Sequence, residues 1–312
     1  MPESFDERSL SLMRFIVLGD LHFAEYHQPE LTEARNRLFR AFFAQIAALK
    51  PDIVFALGDT VNYGTLAELT NLYRLVAATD LPFIAVTGNH DLASLEKAEV
   101  APFFLGGRTP ASVNELYTAF NFEQVRFILL DTSRIKLSDL DWSGYVSEEQ
   151  VEWLRAEIAR FNTIATHQYL IVLGHHPIFG TTERSTEEML SIFNSAEVYE
   201  SFATLSGTLG IYFCGHNHAH SIIGPDALGW YFVQTAAPLD CRSFRLVTVT
   251  ENRVEIETLD FDLSDPTLRQ AFELARTGIE SSFEPQEHAV VYGTFLDRSL
   301  TIKREMEVPA SL

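Results

Sequence analysis

Three of the chain's ten histidines lie within six residues, in the segment GHNHAH at 215–220. The apolar run IYFC at 211–214 comes directly before it and predicts a buried strand. His216 and His218 stand two residues apart, so an extended backbone would point both rings to the same side. Because neutral imidazole is a common metal ligand, the segment predicts a pair of metal ligands if other segments supply partners.

Oxygen and nitrogen ligands also follow four other apolar runs of the sequence, often beside a glycine. The five segments are Asp20-Leu21-His22, Gly58-Asp59, Gly88-Asn89-His90-Asp91, Gly174-His175 and Gly215-His216-Asn217-His218. In an open α/β sheet, ligands bind at the carboxyl ends of the strands, and glycine there lets the backbone come close to an ion. A single Asp or His in such a place is more often a turn former, a helix cap or a hydrogen-bonded histidine. Their repetition at five strand ends favours one shared site.

The ligand types indicate which ions this site would hold. Imidazole and carboxylate without thiolate suit Mn²⁺, Fe²⁺/Fe³⁺, Zn²⁺ or Ni²⁺. Two ions account for the number of candidate ligands. Asp59 lies in the middle of the set, and a carboxylate can bridge two ions with its two oxygens. We therefore predict two metal ions that share Asp59.

The elements that must position these residues begin with a βαβαβ alternation. Buried strands are predicted at 14–20, 52–59 and 82–91, with amphipathic helices at 31–50 and 65–79 between them. This alternation predicts a largely parallel sheet with helices packed on its faces.

The rest of the chain predicts a second set of strands and a C-terminal extension. Later strands are predicted at 125–131, 169–174, 210–214, 230–235, 244–250 and 253–259. Ser147 and Gln150 form a capping box that opens a helix ending near Phe161. The last strands follow one another without helices, which predicts antiparallel pairs.

The chain divides into a polar tail at 1–11, one large domain at 12–260 and an extension at 261–312. The extension is predicted to hold a helix at 264–282 and one or two strands at 288–303. Two interpretations of it stand: a flap over the site, or an arm exchanged in a homodimer.

Composition narrows the function classes. The formal net charge of −20 over 312 residues argues against sequence-independent binding of nucleic acid, which needs Lys and Arg to neutralise phosphates. Cys214 and Cys241 are the only cysteines, so neither a disulfide framework nor a cysteine zinc site is expected. The start of the chain lacks the order of a secretion signal, and no run approaches the roughly 20 apolar residues of a membrane span. We expect a cytoplasmic protein without a membrane partner.

In type and order, the five segments resemble the signature of the calcineurin-like metallophosphoesterases, over residues 20–218. The resemblance implies an α/β fold, a four-layer α/β/β/α sandwich of two mixed β-sheets flanked by helices. It also implies hydrolysis of a phosphoester by a water that bridges two metal ions. The seven implied ligands form two sets joined by Asp59: Asp20, His22 and His218 for one ion, and Asn89, His175 and His216 for the other.

The resemblance further implies catalytic roles in the segment GNHD. His90 would face the scissile phosphate and either donate a proton to the leaving group or stabilise charge on the phosphoryl group. Asp91 would accept a hydrogen bond from His90 and orient it, and the Asn89 amide would contact a phosphate oxygen. His176 would lie near the substrate or behind the ligands. His220 has no role in the family, and we predict that it lies at the surface or at the rim of the site.

One position indicates which branch of the family the chain resembles. Purple acid phosphatases carry a Tyr three residues after the bridging Asp, where this chain has Asn62, and Tyr63 comes one residue too late. The stretch GDTVNYG at 58–64 is more similar to the branch of class III cyclic nucleotide and glycerophosphodiester phosphodiesterases. The opening LGDLH differs from that branch, and the regions 92–124 and 260–312 are not recognisably its own.

The predicted function is therefore a phosphodiesterase acting on a small organic phosphodiester or a cyclic nucleotide. A nucleotide pyrophosphohydrolase, a phosphomonoesterase and a phosphoprotein phosphatase remain as alternatives within the family. A nuclease is disfavoured by the acidic surface. A non-catalytic scaffold is disfavoured because all seven ligands and His90 are present.

Overall fold

A computed structural model describes residues 11–134, 141–164, 169–279 and 288–304 of the chain. The predicted polar tail lies outside these ranges except for Ser11, at which the first strand begins, three residues earlier than predicted. Within these ranges, none of the helices combines the length and the apolar character that crossing a bilayer requires.

The described ranges contain twelve strands. The predicted strands occur in the predicted order with altered bounds, and the strands at Thr118–Phe122 and Ser221–Ile223 are additional. The twelve strands are β1 (Ser11–Leu18), β2 (Ile53–Ala56), β3 (Phe83–Ala85), β4 (Thr118–Phe122), β5 (Val125–Leu129), β6 (Tyr169–Leu173), β7 (Gly210–Cys214), β8 (Ser221–Ile223), β9 (Trp230–Gln234), β10 (Ser243–Thr250), β11 (Arg253–Asp260) and β12 (Ser299–Lys303).

The helices of the same ranges include several short ones that the periodicity does not predict. They are α1 (Pro29–Ala48), α2 (Leu66–Ala77), α3 (Lys97–Val100), α4 (Glu148–Asn162), α5 (Ser195–Phe202), α6 (Pro238–Cys241), α7 (Pro266–Ile279), α8 (His288–Tyr292) and α9 (Phe295–Arg298), with 3₁₀ turns at Ala101–Phe103 and Leu105–Gly107.

The strands form two six-stranded mixed sheets. The first has the order β12-β11-β10-β1-β2-β3, and the second has the order β4-β5-β6-β7-β9-β8. In the first sheet β1, β2 and β3 are parallel, as the βαβαβ alternation predicts. The predicted antiparallel pairs of the late strands are confirmed, since β10 pairs antiparallel with β1 and β11, and β8 with β9.

Aromatic side chains fill the space between the two sheets. Phe15 of β1 and Phe55 of β2 meet Phe127 of β5 and Phe213 of β7, and all four rings are buried. The Phe15 ring lies edge-to-face on Phe55 and Phe127 at centroid distances of 5.6 Å, and on Phe213 at 6.2 Å. Such edge-to-face contacts are preferred because the positive ring edge meets a negative face. This packing brings the carboxyl ends of β1, β2 and β7 to one edge of the sandwich.

Helices cover the outer face of each sheet. Phe42 of α1 packs edge-to-face on Phe244 of β10, with ring centroids 5.8 Å apart. On the other side, Phe202 of α5 stacks on Trp230 of β9 at 3.9 Å. The predicted four-layer α/β/β/α sandwich is therefore confirmed.

Two local predictions hold only in part. In the region 288–303, predicted to contain one or two strands, only the end is a strand, β12, and the helices α8 and α9 precede it. A capping box at Thr294, whose hydroxyl and amide both donate to Asp297 Oδ2 at 2.6 and 2.8 Å, stabilises the helical turn. At the start of α4 only half of the predicted capping box exists. Ser147 caps the Gln150 amide, but the Gln150 side chain instead bonds the backbone N–H and C=O of Asp131.

The described part of the C-terminal extension packs on its own chain. The Tyr26 hydroxyl, just before α1, donates to the Ala275 carbonyl of α7 at 2.8 Å. β12 pairs with β11 and forms an edge of the first sheet. The boundary at residue 260 stays a prediction, and the end of the predicted helix, 280–282, lies outside the described residues.

We expect Phe127→Ala to lower the free energy of unfolding by about 3–5 kcal/mol, because it opens a cavity between the sheets. Urea denaturation followed by circular dichroism measures this loss. Phe295, which is 80% exposed on α9, gives the matched control. Phe295→Ala should change the free energy of unfolding by about 0.5 kcal/mol or less. Equal losses for the two variants would contradict the inter-sheet packing described here.

Candidate metal centre

The seven predicted ligands follow five strands whose carboxyl ends meet at one edge of the sandwich. Asp20 and His22 follow β1, Asp59 follows β2, Asn89 follows β3, His175 follows β6, and His216 and His218 follow β7. All are buried except His216, which is partly exposed. The structure therefore brings all seven side chains together, while their roles as ligands remain predictions.

The first donor group consists of Asp20, His22 and His218. Their candidate ligand atoms lie within 4.8 Å of one another. The His22 and His218 Nε2 atoms are 3.0 Å apart, and the His218 Nε2 atom is 4.0 Å from Asp20 Oδ1. This composition matches the first ligand set that the family resemblance implies.

The second donor group surrounds the His175 Nε2 atom. That atom lies 3.0 Å from Asn89 Oδ1, 3.1 Å from His216 Nδ1 and 3.3 Å from Asp59 Oδ2. The candidate ligand atoms of Asp59, His175 and Asp20 also lie within 4.8 Å of one another. Asp59 is therefore in reach of both groups, as a bridging ligand must be.

The histidine protons are donated away from the centre. His22 Nδ1 donates to Asn62 Oδ1 at 3.1 Å, and His175 Nδ1 donates to the Leu57 carbonyl at 2.7 Å. His218 Nδ1 lies 2.8 Å from Asp240 Oδ2. These contacts direct the Nε2 lone pairs inward. In the first group the Nε2 atoms of His22 and His218 lie 3.0 Å apart, which requires a shared proton or a metal ion between them, so the donor set fits bound metal ions.

Sequence reasoning missed the two side chains that orient these ligands. Asn62 enters the sequence argument only through the absence of a tyrosine, and Asp240 does not enter it at all. Asp240 lies on α6, 22 residues after His218, and no spacing pattern in the sequence connects the two. Such orienting contacts depend on the tertiary fold, so the sequence carries no signal for them.

The backbone at the ligand positions is strained. His22, Asp59, His216 and His218 have φ angles of 45°, 44°, 70° and 51°, in the left-handed region that non-glycine residues rarely adopt. Each such residue costs of order 1–3 kcal/mol and persists only when its surroundings enforce it. The fold therefore holds these ligands in place at the expense of local backbone energy.

Two glycines are required by close approach to the ligands. A Cβ atom at Gly88 would lie 2.1 Å from the Asp59 amide nitrogen and 2.2 Å from its Oδ1. A Cβ atom at Gly215 would lie 2.6 Å from Asp20 Oδ2. The glycines beside the ligands in the sequence thus make room for the carboxylates of other segments.

Burial and neighbouring charges set the protonation of the groups in the metal-free protein. Burial acts to raise the pKa of Asp59, but His175 and His90 outweigh it and hold this pKa well below its usual range. Burial lowers the pKa values of His22 and His216 well below the usual range, so both rings are neutral. An ionised carboxylate among neutral imidazoles is the state that binds a cation.

His175 shows what replaces the cation in the metal-free protein. Burial acts to lower the pKa of His175, yet the carboxylates of Asp59 and Asp20 raise it to about 9. A proton on this ring would then carry the positive charge that the two carboxylates attract. Cation binding therefore competes with protonation of His175, and acid pH should weaken it.

His176 is not available as a ligand, although it lies close to His175 and His216. Its Nδ1 atom is 3.0 Å from the Thr132 hydroxyl, and its Nε2 atom is 3.0 Å from the Trp142 carbonyl. Both ring nitrogens are thus engaged outside the donor groups. This supports His175 as the ligand of the GHHP segment and places His176 behind it.

The predicted hydrogen bond between His90 and Asp91 is wrong. His90 Nδ1 donates to the Asn62 carbonyl at 2.7 Å. The Asp91 carboxylate instead accepts hydrogen bonds from the Thr60 hydroxyl, the Val61 amide and the Gly88 amide, at 2.7, 3.1 and 2.8 Å. Burial and the nearby Asp59 raise the pKa of Asp91 to about 7. Asp91 therefore ties the ligand loops after β2 and β3 together rather than orienting His90.

The predicted exposure of His220 is also wrong. Only 1% of its surface is exposed, and its Nε2 atom lies 2.8 Å from the Ser243 hydroxyl. Its backbone amide donates to the Val291 carbonyl of α8 at 3.0 Å. His220 is buried because the C-terminal extension covers the turn from β7 into β8. The third histidine of the opening segment is thus a core residue beside the metal centre.

The sequence of residues 13–220 matches the family described as calcineurin-like phosphoesterase. The chain belongs to this family. Its members use a dinuclear metal centre, and the two donor groups joined by Asp59 fit such a centre. The matched region contains all seven predicted ligands and His90.

Two curated relatives carry names that specify a diester substrate. A probable cyclic nucleotide phosphodiesterase of Rhodopseudomonas palustris is 30% identical over 54% of this chain and 59% of its own length. A probable glycerophosphodiester phosphodiesterase of Arcobacter nitrofigilis is 29% identical over 41% of this chain and 42% of its own length. The chain therefore spans less than two thirds of the length of these relatives.

Solved structures support the fold. A dimetal phosphatase of Danio rerio superposes with a TM-score of 0.67 over 81% of this chain and 100% of its own, at 16% identity. At this identity the likeness establishes the shared fold alone.

We expect Asp240→Asn to weaken the binding of Mn²⁺ by about tenfold or more, because the charged acceptor that orients His218 is lost. Isothermal titration of the metal-free protein measures the affinity. Asp226→Asn is the matched control, since Asp226 accepts a hydrogen bond from the Tyr199 hydroxyl at 2.6 Å on the outer side of the second sheet. Unchanged binding by the Asp240 variant would show that His218 needs no carboxylate to be a ligand.

Proposed function

We propose that this phosphoesterase is a dinuclear-metal-dependent phosphodiesterase that hydrolyses small organic phosphodiesters or cyclic nucleotides. The observation that carries the proposal is the pair of buried donor groups that share Asp59, with His90 beside them. His90 approaches both, since its backbone amide donates to Asp59 Oδ1 at 2.7 Å and its ring packs on His22 at a centroid distance of 4.7 Å.

The residues of the chain would have two roles in the reaction, metal binding and proton donation. When bound, the two cations supply Lewis-acid stabilisation of the attacking and leaving oxygens of an in-line displacement at phosphorus. Asp20, His22 and His218 would hold one, Asn89, His175 and His216 would hold the other, and Asp59 would contact both. His90 donates a hydrogen bond from Nδ1 to the Asn62 carbonyl and keeps that proton. In the doubly protonated form of the ring, Nε2 would carry a second proton, and this is the proton that would pass to the leaving oxygen.

Three observations favour a small diester as the substrate. The names of the two relatives specify phosphodiesters. Asn62 occupies the position of the purple acid phosphatase tyrosine, and its amide oxygen accepts a hydrogen bond from His22. The net charge of −20 disfavours a polynucleotide, whose binding requires a basic track. The proposal therefore includes a small-molecule substrate and excludes a nucleic-acid partner.

Substrate screening tests the proposal directly. The Mn²⁺-reconstituted protein would be assayed with bis(p-nitrophenyl) phosphate, cyclic AMP, a glycerophosphodiester, a nucleoside diphosphate ester and p-nitrophenyl phosphate. We expect kcat/KM for at least one diester to exceed that for the monoester by about tenfold or more, which corresponds to about 1.4 kcal/mol of transition-state stabilisation. A preference for the monoester or for the diphosphate ester would overturn the assignment in favour of the corresponding alternative.

Asp59→Ala should abolish metal binding and hydrolysis together, because both donor groups lose the carboxylate that they share. Metal content after dialysis, measured by mass spectrometry, is compared with the rate on bis(p-nitrophenyl) phosphate. The exposed Asp52, which precedes β2, provides the control variant Asp52→Ala with full metal content. Two metal ions per chain in the Asp59 variant would contradict its bridging position.

His90→Ala should retain both metal ions but lower kcat by about 10²–10⁴-fold on a diester with an alkoxide leaving group, because the proton donor is lost. The rate on bis(p-nitrophenyl) phosphate should fall much less, since p-nitrophenolate leaves without a proton. Equal losses on both substrates, with the metals retained, would argue against proton donation by His90.

A further inference from the structure

The His90 ring is held by contacts on three of its sides. Its Nδ1 atom donates to the Asn62 carbonyl at 2.7 Å, and the His22 ring lies perpendicular to it at a centroid distance of 4.7 Å. The indole of Trp142 stacks almost parallel on the imidazole, with a centroid distance of 5.5 Å and an interplanar angle of 13°. A single hydrogen bond at Nδ1 would still let the imidazole ring tilt about the axis of that hydrogen bond. A flat neighbour on its face removes that freedom.

The backbone of Trp142 is fixed by His176. The Thr132 hydroxyl oxygen accepts hydrogen bonds from the His175 and His176 amides at 3.2 and 3.1 Å, so its own proton is free to bond His176 Nδ1. The remaining ring proton of His176 is then on Nε2, which donates to the Trp142 carbonyl at 3.0 Å. This hydrogen bond attaches the loop that carries Trp142 to the end of β6.

The same loop is fixed at two further points. The Gly144 amide donates to the Ser191 carbonyl at 3.1 Å, and the Tyr145 amide donates to the Thr132 carbonyl at 2.9 Å. A Cβ atom at Gly144 would lie 2.6 Å from the Cγ atom of His176, so the loop packs directly on that ring. Trp142 is thus presented to His90 by a well-anchored segment.

We infer that Trp142 is a positioning residue for His90, and that His176 anchors Trp142 for this purpose. The inference rests on the proposed function, since it assigns a task to the proton that His90 gives to the leaving group. The stacked indole keeps the His90 Nε2 atom aimed at the leaving oxygen, and a misplacement of about 1 Å at such a group lowers the rate by about 10²-fold. His176, which is not a metal ligand, thereby gains a role in the chemistry of the site.

The first test is a double-mutant cycle with two diesters. Trp142→Leu should lower kcat on the alkoxide-leaving diester by about tenfold and change the rate on bis(p-nitrophenyl) phosphate by about twofold or less. Trp142→Phe keeps a flat ring and should restore most of the loss. In the His90→Ala background, Trp142→Leu should have no further effect, because coupled residues are not additive. Additive losses in the cycle would overturn the inference.

Matched controls separate positioning from stability. Trp153 on α4 packs on Tyr117 at a centroid distance of 4.6 Å, away from the metal centre. Trp153→Leu makes the same chemical change and should leave the ratio of the two rates unaltered. His176→Ala should reproduce the ratio of Trp142→Leu. If it fails to fold, the Trp142 variants still decide the question.

A second readout needs no activity. In the metal-free protein labelled with ¹⁵N, the ring N–H of His90 that is bonded to the Asn62 carbonyl should give a slowly exchanging signal, assigned by its loss in His90→Ala. We expect Trp142→Leu to shift and broaden this signal, and Trp142→Phe to preserve it. An unchanged signal in Trp142→Leu would overturn the inference even if the protein hydrolyses no diester. Absence of diester hydrolysis by the unsubstituted protein would sink the proposed function alone.

Discussion

The whole site depends on the burial of the Asp59 carboxylate between two groups of donors. Its Oδ1 atom accepts the His90 amide proton and its Oδ2 atom lies 3.3 Å from His175 Nε2. A buried carboxylate is stable only when it is hydrogen-bonded and its charge is compensated. In the metal-free protein His175 provides that compensation, and in the proposed enzyme two cations do so. The positive φ angle of Asp59 and the close approach of Gly88 follow from holding this charged group where the ligand segments meet.

Two levels of positioning surround that charge. The inner level is the set of donors, and each histidine donor has its second nitrogen committed to an oxygen, such as the Asp240 carboxylate or the Leu57 carbonyl. The outer level fixes the loops themselves: Asp91 joins the loops after β2 and β3, and His176 joins the end of β6 to the loop of Trp142. Because the histidine orientations are set before any ion arrives, binding requires little rearrangement of these side chains.

Most of the strands, and the candidate ligands at their ends, can be predicted from the sequence because both signals are local. An apolar run such as IYFC predicts a strand, and Gly215 and His216 directly after it predict where that strand ends. The orientation of a side chain in the site is not determined by its neighbours in the sequence. Whether His90 bonds to Asp91 or to the Asn62 carbonyl depends on how two loops pack, and the adjacent position of Asp91 in the chain suggested the wrong partner. His220 was misjudged for a similar reason, since its burial is caused by α8, about seventy residues away. Val290, Val291 and Tyr292 favour a strand by propensity. They lie in the helix α8 instead, where Val291 packs in a buried cluster with Ala236 and Cys241.

The cover over His220 has a consequence for any shortened form of the protein. The His220 amide bonds the Val291 carbonyl at 3.0 Å, and the Ile222 amide bonds Asp297 Oδ1 at 3.2 Å. Deleting the chain after Ile279 would remove both acceptors together with the helices that cover the segment after β7, so the two amides would have to bond to water instead. A truncated chain would keep every histidine and aspartate of the centre and would still bind its ions more weakly. The C-terminal extension thus supports the metal centre from a distance.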